Sequence, residues 1–209
     1  MFVKFCFYVL SAVVVKEVLG HGMMMKPPNR SSLWRFNLSL VFNYDDNQNY
    51  CGGLSVQTGN GGNCGVCGDS YTDPHPQDNE NTGKYGVGIV VETYQAGSVI
   101  EVRINLTANH IGQFSYSLCV LENPDGPESG EDCFMPLSLE DGSSHYNVAK
   151  DEFDIFNRVQ LPADVKCERC VLRWHYRAGN NWGQCDDGSY ATGCGPQETF
   201  RSCADVAIV

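Results

Sequence analysis

The chain is short of positive charge: 14 Lys+Arg stand against 25 Asp+Glu, for a formal net charge of −11 over 209 residues. That deficit excludes nucleic acid and anionic membrane surfaces as partners, since both require clustered Lys and Arg. A membrane-spanning run is missing too. The apolar stretch over residues 5–15 is eleven residues long, well below the ~20 needed to cross a bilayer. No G-x-S-x-G elbow and no H-E-x-x-H helix is present, so a serine hydrolase or a helix-borne zinc protease has no sequence support. There is no internal repeat, low-complexity linker or charge block that would mark a second domain. At 19% charged and 11% aromatic residues, the composition is that of a folded chain rather than a disordered one.

What the chain has in quantity is cysteine, eleven in all, together with 22 glycines. Such a cysteine density belongs to an oxidising compartment. The first twenty residues agree. Lys4 precedes the apolar stretch, and Lys16-Glu17-Val18-Leu19-Gly20 ends on a small residue, the pattern of a secretory signal peptide. Residues 1–20 are therefore expected to be removed, leaving 21–209 as one secreted, extracellular domain. Loss of Lys4, Lys16 and Glu17 takes the net charge to −12, and loss of Cys6 leaves an even set of ten cysteines. These are Cys51, Cys64, Cys67, Cys119, Cys133, Cys167, Cys170, Cys185, Cys194 and Cys203. Four of them form two C-x-x-C pairs, Cys64/Cys67 and Cys167/Cys170. Zinc is one reading of these, but the long gap and the leader favour five disulfides of unspecified connectivity.

Residues 21–85 are rich in Gly, Asn, Asp and Pro and read as long loops stapled by cysteines. From Tyr85 the pattern turns to period two. Val87, Ile89 and Val91 alternate, then Ile100, Val102, Ile104, Leu106 and Ala108, then Phe114, Tyr116, Leu118 and Val120. Leu172, Trp174 and Tyr176 follow, and Phe200, Ala204, Val206 and Ile208 close the chain. Short alternating runs separated by turns predict an all-β fold, an antiparallel sandwich of immunoglobulin or fibronectin type with long disulfide-stapled loops. Glycosylation sequons occur at Asn29, Asn37 and Asn105, Asn105 lying on the polar face of its run.

Of the five histidines, His75 and His145 read as solvated loop residues, and His175 as a polar-face residue beside Arg173. His110 ends the 100–108 run on its apolar parity, just before Gly112. Cleavage after Gly20 would place His21 at the new terminus, where its α-amine and Nδ1 can chelate one ion together. With His110 this makes three neutral nitrogens in a T, a tetragonal set suited to copper(II).

Four segments carry a resemblance. They are His21-Gly22, Leu106-Thr107-Ala108-Asn109-His110, the stretch from Cys170 to Asn180, and Glu198-Thr199-Phe200 through Val206. Together, across the mature chain and in order, they resemble the lytic polysaccharide monooxygenases, in particular the animal group, auxiliary-activity family fifteen. The resemblance implies one type 2 copper held by His21 and His110, with Phe200 shielding one axial side and Ala108 the small residue near the other. It implies oxidative cleavage of an insoluble β-1,4-linked polysaccharide, chitin first and cellulose second, driven by an external electron donor and by peroxide or dioxygen. Met23, Met24 and Asn109, adjacent to the proposed ligands, are the expected substrate contacts, and a monomer is expected. A non-catalytic chitin-binding module and a copper carrier remain alternatives on sequence.

Overall fold

The computed structural model describes residues 21–209; the expected leader, residues 1–20, lies outside the described residues. Two β-sheets face each other. The smaller holds β1 (His21–Lys26), β3 (Val99–Ala108) and β7 (Asp154–Gln160), with β3 in the middle and both pairings antiparallel. The larger runs in the order β2 (Glu92–Tyr94), β11 (Thr199–Ile208), β8 (Cys167–Arg177), β4 (Gly112–Val120), β5 (Met135–Leu137), with β6 (Tyr146–Val148) also on β4. Most pairings are antiparallel, but β2 joins β11 in parallel. A separate hairpin, β9 (Trp182–Gln184) with β10 (Tyr190–Thr192), stands outside both sheets. This is the expected β-sandwich.

Alternation places the core. Val102, Ile104 and Leu106 of β3 meet Phe114, Tyr116 and Leu118 of β4, Leu172, Trp174 and Tyr176 of β8, and Phe200 of β11. Phe114 sits edge-on to both Trp174 and Tyr176, at 5.1 and 5.0 Å, the offset geometry that aromatic quadrupoles favour.

The outer face of the large sheet is buried as well. The loops stapled by Cys67–Cys203 and Cys119–Cys133 pack Val66 and Phe134 against Val171. This corrects the reading of His175 and Arg173 as a solvent face. Arg173 is buried, its guanidinium 3.8 Å over the Phe134 ring and 3.0 Å from Glu131. Arg201 donates to His175 Nδ1 at 3.2 Å.

All ten cysteines of the described residues form disulfides: Cys51–Cys64, Cys67–Cys203, Cys119–Cys133, Cys167–Cys170 and Cys185–Cys194. Only the second C-x-x-C pair closes on itself. The alternating run at Val87, Ile89 and Val91 is not a strand; residues 85–91 form a strap interrupted by Gly88 at φ 73°, and β2 begins at Glu92. The backbone there bonds locally: Thr82 N–H donates to Gly86 O at 2.8 Å and Val87 N–H to Tyr85 O at 3.0 Å.

Among the described residues no helix is long and apolar enough to cross a membrane. Of the sequons, Asn29 is fully buried. Its oxygen caps the 3-10 turn Arg30–Arg35 through the Ser32 N–H, and its nitrogen donates to Met24 O (2.7 Å) and Ser32 Oγ (2.9 Å). A glycan on that nitrogen is incompatible with this packing, which corrects the expectation at Asn29.

Candidate metal centre

Strand pairing brings the two histidines to one end of the small sheet. His21 opens β1 directly opposite Ala108 of β3, two residues before His110. Gly22 follows because nothing larger fits: a Cβ there would lie 2.5 Å from Leu106 Cδ2 and 3.1 Å from Trp174. Its N–H donates to Asn47 O at 3.0 Å, and Asn47 Nδ2 donates to Thr107 Oγ1 at 2.7 Å. The loop before Cys51 therefore holds the start of β1 in place.

His110 is held at both backbone ends. Its N–H donates to the Tyr176 hydroxyl at 3.0 Å, that hydroxyl donates to Ile111 O at 2.6 Å, and Gly179 N–H donates to His110 O at 3.0 Å. Burial pushes the Tyr176 phenol well above its ordinary range, so it stays neutral and able to donate. The turn beyond His110 is bent by Ile111 and Gly112, both at positive φ.

The imidazole itself is buried and asymmetric. Nδ1 lies 3.0 Å from Glu198 Oε2, whereas Nε2 is buried with no hydrogen-bond partner among the described residues. A carboxylate can only accept, so Nδ1 carries a proton, and in the neutral ring that binds a metal the Nε2 lone pair is left over. An unsatisfied buried acceptor costs about 1–3 kcal/mol. A carboxylate that fixes the tautomer while the other nitrogen points at an ion is the usual support of a metal-binding histidine. This donor set fits a metal, and Glu198 is the supporting residue that pattern and spacing alone missed. Its signal was available: Glu198 stands two residues before Phe200, and therefore on the same face of the chain as it enters β11.

No group of three or more His, Cys, Asp or Glu side chains able to hold a metal forms among the described residues. Two imidazoles and an amine would not make such a group.

Phe200 is fully buried opposite Tyr176, the rings 5.6 Å apart and stacked, with Tyr50 at 6.5 Å. Ala108 is half-buried beside His21. The structure buries two of the three expected substrate contacts, Met23 and Met24. Met24 is fully buried in the core, and Met23 is buried with its sulfur accepting from Ser32 Oγ at 3.5 Å. Asn109 is half-buried and uses both amide ends: its oxygen accepts from Ile111 N–H in the turn, and its nitrogen donates to the Ala149 and Glu152 carbonyls between β6 and β7.

Aromatic surface lies instead on two segments tied to this end. The β9–β10 hairpin, closed by Cys185–Cys194, exposes Trp182 (70%) and Tyr190 (60%). Its register places both on one face, diagonally across the pair. Ahead of Asn47, Trp34, Phe42 and Tyr44 form a cluster with centroids 5.2–6.1 Å apart.

Comparisons with known proteins bear on this geometry. The family model described as "Lytic polysaccharide mono-oxygenase, cellulose-degrading" matches residues 21–206. The structure of the AA15 lytic polysaccharide monooxygenase from Thermobia domestica in the Cu(I) state is 43% identical, with a TM-score of 0.86, and covers 90% of this chain and 98% of that one. A chitin binding domain from Burkholderia pseudomallei shares the fold at 10% identity and a TM-score of 0.54, over 91% of this chain and 100% of that one. Among curated proteins no sequence matches significantly. The family match over nearly all the described residues, and the closely similar AA15 structure, show that the chain belongs to the lytic polysaccharide monooxygenases, a family of oxidoreductases.

Proposed function

We propose that the chain is a secreted copper monooxygenase that cleaves a crystalline β-1,4-linked polysaccharide, chitin. The observation that carries this reading is the buried, unpartnered Nε2 of His110, with its Nδ1 committed to Glu198, at the strand end where His21 begins β1. His21 would hold the metal through its freed α-amine and Nδ1, and His110 through Nε2. Copper, when bound, supplies one-electron redox chemistry, with an external reductant and peroxide or dioxygen as co-reactants.

The protein's own share is positioning. Glu198 keeps the His110 proton on Nδ1, and Tyr176 fixes the backbone of that residue. Phe200 presents an apolar ring that bears no competing ligand atom, the Tyr176 hydroxyl being engaged by the His110 N–H and the Ile111 carbonyl, while Ala108 leaves room for a small co-substrate. Trp182 and Tyr190 of the β9–β10 hairpin, and Tyr44 ahead of Asn47, offer exposed ring faces suited to the apolar faces of sugars in an insoluble polymer.

The test uses secreted protein whose mass shows His21 as the first residue, loaded with one equivalent of copper and incubated with chitin and a reductant. Oxidised chito-oligosaccharides, absent when a chelator is added, are the expected result. A copper-loaded chain that binds chitin but releases no oxidised product would overturn the reading in favour of a binding module. Product from cellulose and none from chitin would overturn the substrate.

A further inference from the structure

Beside the 3-10 turn Arg30–Arg35 runs an apolar groove of about 610 Å³, within the range of ~300–1,000 Å³ that small ligands fill. Leu33, Phe36, Asn37 and Leu40 line it together with Ile89 and Val90 of the strap. Much of this surface is bare: Phe36 is 58% and neighbouring Leu38 71% exposed, with Ile89 and Val90 exposed as well. A contiguous apolar patch on a secreted domain calls for an occupant. The sequence supplies one, because Asn37-Leu38-Ser39 is a glycosylation sequon.

We infer that Asn37 carries an N-linked glycan whose first N-acetylglucosamine units lie in this groove. The Asn37 oxygen accepts the Ser39 N–H at 3.1 Å, and Leu40 N–H donates to the Asn37 carbonyl. The turn thus employs the side-chain oxygen and makes no use of the nitrogen that is modified. Asn37 is exposed, in contrast to Asn29, whose nitrogen is locked in two buried hydrogen bonds. Asn105 lies half-buried at mid-strand between Met23 and Asp154.

In the modification, Asn37 Nδ2 bonds to the anomeric carbon of a lipid-diphosphate-linked oligosaccharide. The bond from that carbon to the diphosphate breaks, and the lipid diphosphate leaves with the electron pair while Nδ2 gives up one proton. Once attached, the sugar's apolar C–H face can stack on Phe36 and the aliphatic wall. Lys26, Glu92 and Arg103, also in the lining, meet its hydroxyls. The inference rests on passage through a secretory pathway and is independent of copper.

The test expresses the chain in a eukaryotic host behind a heterologous leader, so that its outcome does not depend on the native one. Amidase release of glycans in heavy-oxygen water, followed by peptide mapping, should convert Asn37 to labelled aspartate and leave Asn29 unmodified. A secreted chain with Asn37 intact overturns the inference. For the groove, an apolar dye should bind severalfold more strongly after enzymatic stripping of folded protein, and likewise in Ser39→Ala, which keeps Asn37 and its turn. Ser39→Thr, which restores the sequon, should return dye binding to the wild-type level. Unchanged dye binding after stripping overturns the groove as the glycan's seat. So does a glycosylated protein that sediments as a dimer with the groove already shielded, or one whose bound dye is displaced by soluble chito-oligosaccharide.

Discussion

Glu198 decides what His110 can do. Its carboxylate holds the ring proton on Nδ1 at 3.0 Å and so aims an unsatisfied lone pair from Nε2. Removing such a support typically costs ~10–100-fold in metal affinity. Glu198→Ala is therefore expected to weaken copper binding by about that factor, measured by competition against a chelator of known affinity. Glu198→Gln, which still accepts the Nδ1 proton through its amide oxygen, should lose less. Unchanged near-ultraviolet circular dichroism in both variants separates this positioning effect from loss of fold. If Ala and Gln weaken binding equally, the contribution is one of charge rather than of tautomer.

Elements differed in how readily they could be read. β3, β4, β8 and β11 follow period two because one face of each meets a continuous apolar core. β7 was hidden, although Ile155, Asn157 and Val159 alternate inward. The middle inward residue is an asparagine, satisfied by the Tyr116 hydroxyl at 2.7 Å, and a polar residue at a core position breaks the pattern. β1 was hidden because Gly22, Met23 and Met24 are all buried: Met24 faces the sandwich, while Met23 is covered by the 3-10 turn. For the same reason the two methionines were legible as neighbours of the site but not as core. The histidine pair was legible through the terminal position expected of His21, whereas Glu198 needed the fold. Stapling carries its own prediction at this scale. Cys67–Cys203 ties the loop over the outer face to β11 across 136 residues, and bridges closing long loops contribute most to stability. Replacing both cysteines with serine should lower unfolding free energy by ~2–5 kcal/mol in a denaturant titration, whereas losing the short-range Cys167–Cys170 bridge should cost less.

Over the whole molecule, two half-buried groups pull stability in opposite directions with pH. Burial, then the guanidinium charges of Arg201, Arg173 and Arg177, push the His175 imidazole from 6.5 down to about 3. The unfolded chain takes up a proton that the folded chain refuses. Stability from His175 is thus complete above pH 6.5 and is lost as pH falls toward 3, by up to about 1.4 kcal/mol per unit. Asp69 is raised from 3.8 to about 6, chiefly by burial, against hydrogen bonds from Asn79. Here the folded chain holds the proton, so stability declines as pH rises from 3.8 to 6 and is level beyond. In the wild type the two slopes offset between about pH 4 and 6. His175→Gln should therefore show stability falling with rising pH across that window, and Asp69→Asn stability rising, each followed by chemical denaturation at fixed pH.

The central claim is that the His21 amine and the His110 ring act together as one copper site. The most direct measurement is copper(II) titration of three proteins: one beginning at His21, one retaining Gly20 ahead of it, and His110→Ala beginning at His21. The account predicts tight one-to-one binding in the first alone, with affinity falling by orders of magnitude when the amine is blocked by Gly20 or when the second imidazole is removed. Equal affinity with Gly20 in place, or wild-type affinity in His110→Ala, would contradict it.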